Sequence, residues 1–60
     1  MRTVLAIDDN RAVTDALALL FGLHDIETLA AASPQEGLAL LRRRRVDLVV
    51  ADMNFSEDTT

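Results

Sequence analysis

Sixty residues, half of them apolar and 27 % charged, with no cysteine and a net charge of −4, allow one small domain or part of a larger one. They exclude a second domain, a disordered tail, a disulfide framework and a thiolate metal site. All six basic residues are Arg, four of them in the block Arg42 to Arg45, and the rest of the chain is acidic; this excludes any mechanism needing a lysine amine within it and argues against direct nucleic-acid binding.

Thr3-Val4-Leu5-Ala6-Ile7 is a partly β-branched apolar run closed by Asp8 and Asp9, which predicts a strand over about 3–8, buried on both faces. Because the run ends in two aspartates it is neither a signal peptide nor a membrane span, and a cytoplasmic location is the expectation. From Asn10 the pattern changes. Val13, Ala16, Leu17, Leu20 and Phe21 form one apolar stripe, predicting a helix over about 11–22 with the stripe in the core, Asn10 as N-cap and Gly22 closing it in the left-handed conformation. Ile26 to Ala31 reads as a weaker strand whose mixed polarity suits a sheet edge.

Ser33-Pro34-Gln35-Glu36 is a strong helix start: Ser can cap, Pro suits the first helical position, and Glu36 can reach back as a capping box. The helix is expected over about 34–44, with Gly37, Leu38 and Leu41 as its apolar face and the Arg block at its carbonyl end, where positive charge is favourable. Val46 to Ala51, ending at Asp52, predicts a third strand over about 46–52, and the tail from Asn54 is polar. His24, alone and without cysteine, gives no zinc pattern and is expected on a surface loop.

The order β-α-β-α-β implies parallel strands with right-handed helical crossovers. The fold class is α/β, a partial flavodoxin-like doubly wound sheet with strand order 2-1-3 and one helix on each face. Ligands of such sheets bind beyond the carboxyl ends of the strands where the order reverses, here between strands one and three. Asp8, Asp9 and Asp52 converge on that point. Clustered like charges require a compensating cation or proton, and hard oxygen donors favour Mg²⁺, beside which a carboxylate can act as a nucleophile.

The run Val4-Leu5-Ala6-Ile7-Asp8-Asp9-Asn10, the helix closed by Gly22, the stretch Ala31-Ala32-Ser33-Pro34-Gln35-Glu36-Gly37-Leu38 and the segment Asp47-Leu48-Val49-Val50-Ala51-Asp52-Met53-Asn54 together resemble the receiver domain of bacterial two-component response regulators. Asp52-Met53-Asn54-Phe55 is similar to receivers that accompany an enhancer-binding ATPase domain. The resemblance implies that Asp52 is the phosphoacceptor, Asp9 a direct Mg²⁺ ligand, Asp8 a helper through water and the Asn54 backbone carbonyl a further ligand. It implies a histidine kinase as partner and a signalling module rather than an enzyme.

The family's pattern continues with two more strand-helix units carrying a Ser or Thr, an aromatic residue and a Lys, so the expectation is the N-terminal half of a receiver. A chain this short buries only about 60 % of its unfolded surface. The alternative to phosphotransfer is therefore a structural half-domain that self-associates, with a two-fold homo-oligomer the simplest closed form. A metal-dependent hydrolase is disfavoured because no general base or Lys accompanies the carboxylates.

Overall fold

The computed structural model describes residues 2–51. The elements run β1 (Arg2–Ile7), α1 (Arg11–Gly22), β2 (Ile26–Ala31), α2 (Pro34–Arg43) and β3 (Leu48–Ala51). The strands form one parallel sheet in the order β2-β1-β3. The predicted fold class and strand order hold, and β2 takes the edge position its polarity suggested.

β1 is central and apolar on both faces: Val4, Leu5, Ala6 and Ile7 are all buried. Side chains alternate across a sheet. Leu5 and Ile7 share one face with Ala31, packed by Leu29, Leu40 of α2 and Val46. On the other face Ala6 lies beside Val13 and Leu17 of α1 and Val50 of β3. The two helices thus cover opposite faces, as parallel crossovers of one hand require.

Several local expectations need correction. Asp8 lies just outside β1, which ends at Ile7. β3 starts at Leu48, not at residue 46: Val46 turns into the core, while Asp47 clamps the start of β1, its carboxylate accepting from Thr3 N–H at 2.9 Å and its N–H donating to Thr3 O at 2.8 Å. The predicted extension of this strand to Asp52 lies outside the described residues.

α1 is capped by Asn10 as expected, but Gly22 is not left-handed. The chain continues past it through a tight turn in which His24 N–H bonds Phe21 O and Asp25 N–H bonds Gly22 O, and the left-handed residue is Asp25, at φ 60°. In α2, Ser33 Oγ accepts from Glu36 N–H, whereas the Glu36 carboxylate takes Ala32 N–H, one residue before the amide a capping box would use. The helix ends at Arg43. Arg44 is extended, and its guanidinium donates to both oxygens of Glu27 on β2 at 2.9–3.0 Å.

The predicted helix stripes are buried only in part, at Gly37 and, half-buried, at Leu17 and Phe21. On α1 the buried residue is Thr14, while Val13 and Leu20 are exposed; on α2 Gly37 is buried, while Leu38 and Leu41 are exposed. The cause is geometric. Both helices pack over β1 and β2, so the parts of each stripe that point toward β3 find little sheet beneath them.

Candidate functional site

The site begins where an apolar strand must stop. Ile7 is buried, and the next residues are carboxylates that water or a cation must solvate. Asp8, half-buried, is anchored by its own N–H, which donates to Ala31 O at the end of β2 at 3.0 Å. Its carboxylate is fixed too: Asn10 N–H donates to Asp8 Oδ1 at 2.8 Å. Asp9 is exposed, and its side chain has no hydrogen-bond partner among the described residues.

Two depressions meet at Asp8. One, of about 300 Å³, opens toward β2 and is lined by Asp8, Asp9, Arg11, Asp15 and Glu36. The other, of about 220 Å³, lies between α1 and β3, with Ala6, Val13, Leu17, Val50 and Ala51 around it. The second marks the strand-order reversal, where a doubly wound sheet presents its ligand crevice. Asp8 borders that crevice, and Ala51 stands beside Ile7 in the β1–β3 register.

The structure thus brings Asp8 and Asp9 together at the carboxyl end of the central strand. Asp52 and Asn54, the other residues predicted for the site, lie outside the described residues. Among those described, no three acidic or His side chains close on one point, so a metal held there draws further ligands from elsewhere. The donor chemistry fits Mg²⁺: carboxylate oxygens only, with one Asp8 oxygen and both Asp9 oxygens not engaged by the protein among the described residues.

The sequence reading missed Arg11, Asp15 and Glu36 as neighbours of the carboxylates. Arg11 and Asp15 stand one helical turn apart on α1, a spacing that, once the N-cap is placed, puts both on the face above Asp8 and Asp9. For Glu36 no sequence signal existed beyond its capping role.

No described helix is long and apolar enough to cross a membrane. Residues 4–59 match the family described as the response regulator receiver domain. Over 53 residues, 88 % of this chain, it is 40 % identical to the transcriptional regulatory protein AfsQ1 of Streptomyces coelicolor (strain ATCC BAA-471 / A3(2) / M145). The chain spans about a quarter (24 %) of that protein's length. No solved structure matches it significantly. With the parallel 2-1-3 sheet, the paired aspartates at the end of its central strand and a family match over nearly all its length, the chain belongs to the response regulator receiver domain family and so to two-component signalling.

Proposed function

We propose that the chain is a phosphoacceptor module in which Asp52 receives a phosphoryl group from a histidine kinase. A carboxylate oxygen of Asp52 attacks the phosphorus of a phosphohistidine; an O–P bond forms, the P–N bond breaks, and the imidazole nitrogen takes up a proton. The observation that carries this reading is the β1–β3 register, Ile7 beside Ala51, with Asp8 and Asp52 the next residues in sequence. Mg²⁺, when bound, offsets the charge of the carboxylates and of the incoming phosphoryl oxygens. In this reading Asp9 is its direct ligand, Asp8 acts through water, Asp52 is both ligand and acceptor, and the Asn54 carbonyl completes the protein's share. Because Asp52 keeps the group it receives, the chain is a substrate of its kinase, not an enzyme.

Incubation with a small phosphodonor and Mg²⁺, followed by intact mass, tests this. The expected result is a gain of one phosphoryl group that is absent without Mg²⁺ and absent in Asp52→Asn. An equal gain in Asp52→Asn contradicts it. The name of AfsQ1 assigns that protein to transcriptional regulation; we propose the same class of output here, and the segment Asp52 to Phe55 supports a place among regulators with an enhancer-binding ATPase domain.

A second reading, self-association, is favoured by β3. It has β1 as its one neighbour among the described residues, and Leu48 and Val49 are 56 % and 44 % exposed. Such an edge recruits another strand. Two copies paired antiparallel through β3 about a two-fold axis form one continuous sheet. Sedimentation at micromolar concentration is expected to show a concentration-dependent homo-oligomer; a concentration-independent 6.6 kDa species contradicts it.

A further inference from the structure

The turn between β1 and α1 is closed by two hydrogen bonds that share one residue. Asn10 N–H donates to Asp8 Oδ1 at 2.8 Å, and Ala12 N–H donates to Asn10 Oδ1 at 3.0 Å. The first bond holds a carboxylate of the site, and the second caps the helix. We infer that Asn10 is a positioning residue for cation binding, in that its side-chain cap sets the Asp8 carboxylate; the inference rests on the phosphoacceptor reading above.

The coupling is geometric. Asn10 is extended, at φ −92° and ψ 107°. With α1 fixed below it, rotation about its Cα–C bond swings its side chain and its own nitrogen together, and the cap bond to Ala12 is the side-chain contact that holds this rotation. Asp8 is tied at the backbone by Ala31 O. Among the described residues, however, Asn10 N–H is the group that holds its carboxylate. Two consequences follow. Asp8 Oδ1 is engaged, so Asp8 offers Oδ2 to a cation or its water. Without the cap, Asp8 has more conformers to lose when a cation binds, and pre-organised affinity falls.

The test is an amide-resolved NMR titration of the full chain with MgCl₂, following Asp8, Asp9 and Asn10, with thermal unfolding measured free of metal. Asn10→Ala is expected to weaken Mg²⁺ binding by about three- to five-fold. Asn10→Ser, whose hydroxyl can cap, recovers most of it. Asn10→Gly separates the two roles, because glycine at an N-cap costs a helix little stability yet lacks the side-chain acceptor. It is expected to lose Mg²⁺ affinity as Asn10→Ala does, with a smaller fall in melting temperature. Mg²⁺ affinity unchanged in Asn10→Ala, or lost in Asn10→Ala but kept in Asn10→Gly, overturns the inference while the phosphoacceptor reading stands. No saturable Mg²⁺ response in the unsubstituted chain overturns both.

Discussion

Gly37 lies inside α2, where glycine ordinarily costs about 1 kcal/mol relative to alanine. Here a Cβ would stand 2.5 Å from Ile7 Cδ1, 3.1 Å from Ile7 Cγ1 and 3.6 Å from Leu5 Cδ2. Both partners are buried in the central strand, so an added Cβ would force the Ile7 side chain from its place against α2. Overpacking costs typically ~1–3 kcal/mol, which exceeds the helix-propensity gain. Gly37→Ala is thus expected to lower stability by about 1 kcal/mol, seen as a lower urea midpoint at unchanged slope. Ile7→Val, which removes Cδ1, should make the double variant lose less than the sum of the two single losses; a stabilised Gly37→Ala would contradict this packing. Thr28 presents the opposite case, a buried hydroxyl with no hydrogen-bond partner among the described residues. Thr28→Val keeps the shape and the strand preference and removes the unpaired group, so a gain of about 1 kcal/mol is expected by the same denaturation measurement.

At the scale of elements, what depends on neighbouring residues was legible in the sequence. The Asn10 and Ser33 caps, the proline at the start of α2 and the order of strands and helices all follow from local chemistry. Which apolar residues become core was not legible, because that depends on where each helix sits over the sheet. Val13, Leu20, Leu38 and Leu41 satisfy a helical period yet remain exposed, since both helices pack over β1 and β2. The turn after Gly22 misled for a related reason: glycine permits a left-handed residue but does not require one, and Asp25 takes that conformation instead. The same placement leaves β3 with an apolar edge. Val49→Lys is expected to dissociate a β3-paired assembly by putting a charge on that edge. Because Val49 is already 44 % exposed, the separated chain should keep its helical circular dichroism; sedimentation and dichroism on one sample check both outcomes. Undiminished association in Val49→Lys would exclude β3 as the contact.

Across the whole molecule, the four-Arg block lies at the end of the sheet opposite the paired aspartates. Asp8 and Asp9 lie beyond the carboxyl end of β1, while the Arg42 to Arg45 block lies by the start of β2, where Arg44 pairs with Glu27. That pair is partly exposed and contributes on the order of 1 kcal/mol or less. In the proposed reading the acidic end meets an anionic donor, and a bound cation would offset the repulsion between them. The paired aspartates were legible because acids that close a buried strand stand out. The expectation that they meet Asp52, which lies outside the described residues, rests on topology alone, since strand order sets which strand ends meet. The support of Asp8 was not legible, because the Asn10 N–H and Ala31 O contacts depend on turn geometry rather than on residue pattern. The most direct test of the account is to phosphorylate the chain with a small phosphodonor and Mg²⁺, reduce it with borohydride to convert an aspartyl phosphate to homoserine, and locate the change by peptide mass spectrometry. The account predicts modification at Asp52 alone; modification at Asp8 or Asp9, or at none of the three, would contradict it.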